Sequence, residues 1–250
     1  VLGVASLIVV LAIMNGFAGE LRGRILSLVP HGFVEFKDGG ITQWQDLSAR
    51  ISEQPGVVAV SPYITEKAIL GNGQTQRGAV LTAIDPQAES GVSNLRGAMI
   101  AGDLDSLQGD GFNVVLGTTL ADILRVVPGD YVQVTVPRLT VTPLGMFPRS
   151  KRLRVTGIFQ IGAQPDAYQA YISLTTGQKL LGSKGSVDGL QVKTRDLFTA
   201  PDVMRALAAE LPDTYVVKDW SQTQGSLFRA VKLEKVMVSL LLLSVVAVAA

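Results

Sequence analysis

Residues 190–217 read LQVKTRDLFTAPDVMRALAAELPDTYVV, and residues 33–60 read FVEFKDGGITQWQDLSARISEQPGVVAV. Each reads as strand, helix, strand. In the later stretch, Leu190–Lys193 is a β-rich run, and Pro201 suits the first turn of a helix, where its missing N–H costs nothing. Val203, Met204, Leu207 and Leu211 then fall on one helical face, until Pro212-Asp213 breaks it. In the earlier stretch Phe33–Phe36 is a short strand. Thr42 and Gln45 have capping-box spacing. Trp44, Leu47 and Ile51 share a helix face, and Pro55-Gly56 stops it. Val57–Val60 and Tyr63–Leu70 are β-rich again. Two such units from opposite ends of the chain predict one α+β subdomain assembled from 33–70 and 187–220.

The stretch 71–186 between them reads as a β-rich insertion. Its strand candidates are Ala79–Ile84, Asn113–Leu116, Tyr131–Val136, Leu153–Phe159 and Ala170–Leu174, with short helices at Thr118–Val126 and Thr175–Leu181. Gly71-Asn72-Gly73 is a tight hairpin turn rather than a phosphate cradle, because no helix opens after it. Pro128-Gly129-Asp130 is a turn signal ahead of a strand.

Outside this body, residues 1–14 (VLGVASLIVVLAIM) and 236–250 (VMVSLLLLSVVAVAA) carry no charge, and every Lys, Arg, Asp and Glu lies between Glu20 and Lys235. A helix rising about 1.5 Å per residue makes each run roughly 20 Å long, short of the ~30 Å apolar core of a bilayer. The expectation is two membrane-spanning helices present in part, 1–19 and 236–250, joined to the body by stalks at 20–32 and 221–235. A soluble protein with apolar terminal helices is the other reading. Phe17, Leu21, Ile25 and Leu28 form one helical stripe, which Pro30 and Gly32 end. Arg22, Arg24, Lys232 and Lys235 lie beside the apolar runs, but the positive-inside rule weakens for loops beyond about 60 residues, so charge leaves the sidedness open.

The net charge of +1 argues against nucleic-acid binding. The absence of cysteine excludes disulfides and thiolate metal sites. No Gly-x-Ser-x-Gly, Walker A or His-Glu-x-x-His pattern occurs. His31 is the lone histidine and is expected at a surface or interface. Asp103, Asp105 and Asp110 lack EF-hand spacing and read as a solvated loop. The chain is therefore expected not to be an enzyme and to bind no cofactor or metal.

Residues 137–152, PRLTVTPLGMFPRSKR, stand apart. Pro137, Pro143 and Pro148 stiffen the segment and remove backbone donors. Its centre carries Leu144, Met146 and Phe147, flanked by Arg138, Arg149, Lys151 and Arg152. A hairpin tip normally holds polar turn residues. An apolar tip on a cationic base reads as a peg for a groove in another protein, or as a tip folded back on its own domain.

Several motifs occur in order along the chain: Met14-Asn15-Gly16-Phe17, Glu20-Leu21-Arg22, Ala83-Ile84-Asp85-Pro86, Leu116-Gly117-x-x-Leu120-Ala121 and Gly129-Asp130. Thr142-Pro143-x-Gly145-x-x-Pro148, Thr156-Gly157-Ile158-Phe159 and Gly225-Ser226-Leu227-Phe228-x-Ala230-Val231-x-x-Glu234-Lys235 follow. Together they resemble the LolC/LolE/LolF family, the permease subunits of the lipoprotein-releasing ABC transporter, within the MacB-type superfamily. The resemblance implies a periplasmic domain between the first two of four spans in the bacterial inner membrane. It implies a Porter-like α+β subdomain holding a Sabre-like insertion. It further implies a second permease subunit and two cytoplasmic LolD-like ATPases, which bind the ATP and Mg. Lipoprotein substrates would pass to the periplasmic chaperone LolA.

In LolC-like members the proline-rich hairpin is a hook for the chaperone. The resemblance carries that role to Pro143, Leu144, Gly145, Met146, Phe147 and Pro148. A basic and polar pad at the hook's base would comprise Gln133, Arg149, Ser150, Lys151 and Arg152; Gln133 stands where the pattern has arginine. The alternatives are a MacB-like mechanotransmission efflux permease and a scaffold of FtsX type.

Overall fold

The computed structural model describes residues 30–109, 111–142, 145–183 and 185–223, the side chains of 139–142, 145–147 and 223 excepted. The expected spans, and the stalks apart from residues 30–32 and 221–223, lie outside the described residues. Among those described, no helix is long and apolar enough to cross a membrane.

Both ends of the described chain enter one sheet. β1 (Gly32–Phe36), α1 (Trp44–Ser52) and the first half of β2 (Val57–Gly71) form the early unit. β9 (Gly189–Thr194), α5 (Ala200–Glu210) and β10 (Tyr215–Asp219) form the late one. Their strands interleave in the order β10-β1-β9-β2, each neighbour antiparallel. This is a split β-α-β arrangement, in which β9 fills the gap the β1–α1–β2 crossover leaves. Apolar helix faces cover the sheet through Leu47 and Ile51 of α1 and Met204 and Leu207 of α5, all buried.

β2 is long enough to serve a second structure. Beyond Tyr63 it pairs with β3 (Gln76–Ile84) along one edge. Along the other edge β9 ends at Tyr63, and Ile69–Gly71 pair instead with Thr135–Gln133 of β6 (Tyr131–Thr142). β3 runs parallel to β8 (Gln169–Ser173), and β8 antiparallel to β5 (Asn113–Gly117). β5 lies parallel to β7 (Gly145–Phe159), which returns antiparallel to β6. The circuit β2-β3-β8-β5-β7-β6-β2 closes, making a six-stranded barrel with no free edge along its wall.

Strand alternation fills the interior. Leu70, Leu81, Val114, Ile172, Val155 and Val134, one from each strand, are buried together with Ala68, Ala79, Ala83, Leu116, Ala170, Val132, Val136 and Leu153. α3 (Thr118–Leu124) and α4 (Leu174–Leu181) follow β5 and β8 directly and bring Leu120, Leu124, Leu180 and Leu181 into the same core. A second cluster, Ile84, Leu95, Leu104, Leu107, Val115 and Phe159, lies on the other face of β5. It is covered by the segment that holds β4 (Met99–Gly102) and two 3₁₀ turns.

Several expectations are corrected. Val57–Val60 and Tyr63–Leu70 are one strand. Pro62 is tolerated because β3 pairs only from Tyr63 onward, leaving the proline where one edge is unbonded. α1 starts at Trp44 after Gln43 with no side-chain cap, so the Thr42–Gln45 box does not form. A helix not expected from the sequence, α2 (Pro86–Val92), is capped by Asp85, whose carboxylate accepts the Gln87 and Ala88 N–H groups. His31 is not a surface residue. It is buried, its Nδ1 accepts the Thr194 N–H at 3.1 Å, and its carbonyl accepts the Trp220 N–H at 3.0 Å.

Gly177 lies at a close helix-to-wall contact. A Cβ there would sit 2.3 Å from the Ala83 Cβ. Helix propensity alone favours Gly→Ala by about 1 kcal/mol. The packing predicts the opposite sign: Gly177→Ala destabilises by about 1–3 kcal/mol in chemical denaturation, and adding Ala83→Gly recovers most of the loss. A stabilised single variant contradicts this packing.

Glu89 of α2 is buried, accepting the Ser93 hydroxyl at 2.7 Å and the Ser61 hydroxyl at 3.1 Å. Burial pushes its pKa above the ordinary 4.5, and the two hydroxyls only partly offset this. The folded state then holds a proton that the unfolded state releases, so stability falls as pH rises from about 4.5 through the raised folded pKa. Glu89→Gln is expected to remove that slope and to be the more stable protein at neutral pH, read from denaturation midpoints across pH.

Candidate functional site

The segment 137–152, expected as the long tip of a hairpin, is itself paired and forms an arm. β6 and β7 continue their ladder outward through Leu139–Pro148, Thr140–Phe147 and Val141–Met146 to Thr142–Gly145. The register shifts between Val136 and Leu139, where Pro137 and Arg138 form a bulge. From 139 to 142 and from 145 to 148 the two strands pair only with each other among the described residues. The arm therefore leaves the barrel as a two-stranded projection. Pro143 and Leu144 lie outside the described residues. Gly145, Met146 and Phe147 are placed by their backbone, at the far end of the ladder, and Pro148 is exposed.

At the root, Arg138 Nε donates to Glu66 Oε2 at 2.7 Å, tying the bulge to β2. An exposed pair of this kind contributes at most about 1 kcal/mol, so it orients the arm more than it stabilises it.

The expected pad residues divide between two faces, because alternate residues of a strand point in opposite directions. Gln133, Ser150 and Arg152 share the outer wall. Gln133 pairs with Arg152 across the ladder, and its amide donates to the Ser150 hydroxyl. The Arg152 guanidinium lies 4.3 Å from the Tyr131 ring centroid. Arg149 and Lys151 face the opposite way, beside Val136 and Val134. Lys151 Nζ sits 4.1 Å from the Phe112 ring centroid. Arg149 donates to the Leu180 carbonyl at 3.3 Å, near the C-terminal end of α4, where a cation complements the helix dipole. Phe112, Arg149, Ser150, Lys151, Lys179 and Leu180 line one cleft of about 470 Å³, so Ser150 borders this side as well.

On the outer wall the register builds a lattice around the pad. Gly78, Ile69, Thr135 and Ser150 form one row, and Gln76, Gly71, Gln133 and Arg152 the next. Ile69, Gly71, Gly73, Gln76, Gln133 and Thr135 border a shallow depression of about 200 Å³. Ile69 and Tyr131 are each 49% exposed. Sequence reading missed Ile69 and Phe112 as neighbours of the pad, since they come from elements distant in the chain; Tyr131, two residues before Gln133 on β6, was within reach of strand alternation.

The acidic positions read as a solvated loop do belong to one. Asp103 accepts the Asp105 N–H at 2.8 Å and caps a 3₁₀ turn, and Arg96 pairs with Asp105 at 2.6 Å. Asp110 lies outside the described residues. Among the described residues no group of three or more His, Cys, Asp or Glu side chains is placed to hold a metal.

Comparison with known proteins bears on this geometry. The chain is 35% identical over its whole length to the lipoprotein-releasing system transmembrane protein LolC of Xylella fastidiosa, of which it covers 60%. It is 27% identical, over 99% of its length, to the LolE protein of Haemophilus influenzae, of which it covers 61%. The chain thus spans about three fifths of these curated relatives. The periplasmic region of MacB from Actinobacillus actinomycetemcomitans superposes with a TM-score of 0.52 at 15% identity, over 83% of this chain and 97% of that one, a likeness of fold alone. The profile of the MacB-like periplasmic core domain matches residues 1–210. On that match the chain belongs to the MacB-like periplasmic core domain family.

Proposed function

We propose that this chain is the larger part of a permease subunit of a lipoprotein-releasing ABC complex in the bacterial inner membrane. In this reading its folded body lies in the periplasm, and the β6–β7 arm captures the chaperone LolA. The observation that carries it is the projecting arm, in a chain whose whole length resembles LolC. ATP hydrolysis belongs to two LolD-like cytoplasmic subunits, and a second permease subunit completes the complex. The chain itself contributes binding and force transmission rather than chemistry.

The arm suits capture and release. Its ladder fixes the backbone before the partner arrives, which lowers the ordering cost of binding. Pro137 and Pro148 withhold backbone donors, which discourages strand addition along the arm. Leu144, Met146 and Phe147 supply apolar contact with the chaperone's lipid cavity. The basic residues at the base raise the encounter rate and set orientation more than they add affinity. An affinity resting mainly on a few apolar side chains suits a partner that must leave in every cycle.

Force would enter through the joint beside His31 and Trp220, at the two ends of the described residues. There Trp220 is buried, its Nε1 donates to the Leu197 carbonyl at 2.7 Å, and its backbone N–H donates to His31. An efflux permease of the MacB kind shares the fold; 35% identity to LolC against 15% to MacB favours lipoprotein release.

The expected outcome of Met146→Asp with Phe147→Asp is a loss of at least about tenfold in LolA captured by the tagged protein from detergent-solubilised membranes, or about 1.4 kcal/mol. Unchanged capture contradicts the arm's role. Capture of a periplasmic efflux adaptor in place of LolA favours the MacB-like reading.

A further inference from the structure

His31 is bonded through both polar groups of its backbone and through its ring. Its N–H donates to the Val192 carbonyl at 2.9 Å, and its carbonyl accepts the Trp220 N–H at 3.0 Å. Its Nδ1 accepts the Thr194 N–H at 3.1 Å. The Thr194 Oγ1 lies 2.8 Å from the same Nδ1 and 2.8 Å from the Asp196 carbonyl. Trp220 holds the following residues from the other side. Its Nε1 donates to the Leu197 carbonyl at 2.7 Å, and its ring stands edge-on to Phe198 with centroids 6.4 Å apart. Residues 194–199, between β9 and α5, are therefore clamped between an imidazole and an indole.

The imidazole holds this clamp in only one of its protonation states. Neutral, with its proton on Nε2, it offers the Nδ1 lone pair to the Thr194 N–H. Charged, Nδ1 can only donate. Thr194 Oγ1, able to pass its own proton to the Asp196 carbonyl, is placed to accept from it. The Thr194 N–H then loses its acceptor in a buried site, at a cost. The charges that act on the ring are Lys193 of β9, which opposes protonation, and Asp196, which favours it. Of the other charged side chains on the elements packed there, Lys218 pairs with Glu35 and Asp219 accepts the Ser221 N–H at 2.8 Å. Asp202 pairs with Arg205 on α5, and Arg195 is exposed.

We propose that His31 is a proton-operated latch: neutral, it holds residues 194–199 closed against Trp220, and charged, it releases the Thr194 N–H and loosens the joint. Burial first, and then Lys193, hold the ring's pKa below the ordinary 6.5, against the smaller pull of Asp196 and of the Thr194 bond. The unfolded chain then takes up a proton that the folded joint resists. The stability the latch contributes is complete above pH 6.5 and falls as pH drops from there to the lowered folded pKa. This slope is opposite in sign to that of Glu89. That acid thereby weakens force transmission rests on the proposed function; the latch itself rests on the bonding at His31 alone.

The test uses the full-length protein in detergent micelles, with a trifluoromethyl-phenylalanine placed at Phe198, which is 51% exposed and stands against Trp220. Its fluorine signal is followed from about pH 8 to about pH 4.5, across the ordinary histidine range. The signal is expected to shift in a one-proton step with its midpoint below 6.5. His31→Asn keeps a side-chain acceptor for the Thr194 N–H and takes up no proton, so the step is expected to vanish with the signal at its alkaline position. Lys193→Gln is expected to raise the midpoint and Asp196→Asn to lower it, opposite shifts that a merely structural histidine would not give. An unchanged step in His31→Asn, or no step in the unaltered protein, overturns the latch. Lipoprotein release to LolA by the reconstituted complex is then compared at about pH 7.5 and about pH 5.5, on either side of the ordinary histidine value. The unaltered protein is expected to lose a larger share of its rate in acid than His31→Asn does. Equal losses overturn the latch's part in transmission. No release by either protein at the higher pH contradicts the proposed function, while the fluorine step still decides the latch.

Discussion

The three pairs between Ile69–Gly71 and Gln133–Thr135 close the barrel, and the rest of the molecule depends on that closure. Without them β6 would be an edge strand, and its exposed backbone groups would template association with other chains. With them the wall is continuous, the interior is sealed by Leu70 and Val134 meeting across the seam, and β6 and β7 gain a fixed base from which to extend. The same strand, β2, begins in the split β-α-β sheet at Val57 and ends at the barrel seam. One strand therefore links the split sheet, to which His31 and Trp220 are held through β9, with the root of the arm.

Strand geometry also decides what the arm's base presents. A pad read as contiguous in sequence cannot be contiguous in space when its residues alternate along a strand. Ser150 and Arg152 join Gln133 on the outer wall, while Arg149 and Lys151 turn to Phe112 and α4. The two groups meet different surroundings. Arg152 lies over an exposed tyrosine on an open face, whereas Arg149 is bound against a helix end and adds rigidity at the arm's root. Substitutions at neighbouring positions are then expected to differ in kind, one altering encounter with a partner and the other altering the arm's orientation.

Local signals made much of the fold legible. Pro201 and the Val203–Leu211 face gave α5 within a residue or two, and Gly71-Asn72-Gly73 gave the β2–β3 turn, where Asn72 accepts the Gln74 and Thr75 N–H groups. Non-local pairing stayed hidden. Nothing in the local pattern says that Gln133 pairs with Gly71, so barrel closure and the wall lattice were beyond reach. The hairpin was legible but the length of its ladder was not, because three prolines argue against strand, and a bulge at Pro137 with exposed pairing at Pro148 accommodates two of them. Asp85-Pro86 was a readable helix start, quoted only as a family motif. His31 was misplaced because burial of a lone imidazole depends on the strand beside it, here β9 with Thr194.

The central claim is that a rigid arm on a closed barrel, and not some other face, meets the chaperone. Photo-crosslinking in intact cells tests it most directly, with the reactive residue placed in turn at Phe147, at Gln133 and at Ile100, an exposed position on β4. The account predicts crosslinks to LolA from 147 and 133 and none from 100. Crosslinking from 100 as strong as from 147, or none from 147 while lipoprotein release proceeds, would contradict it.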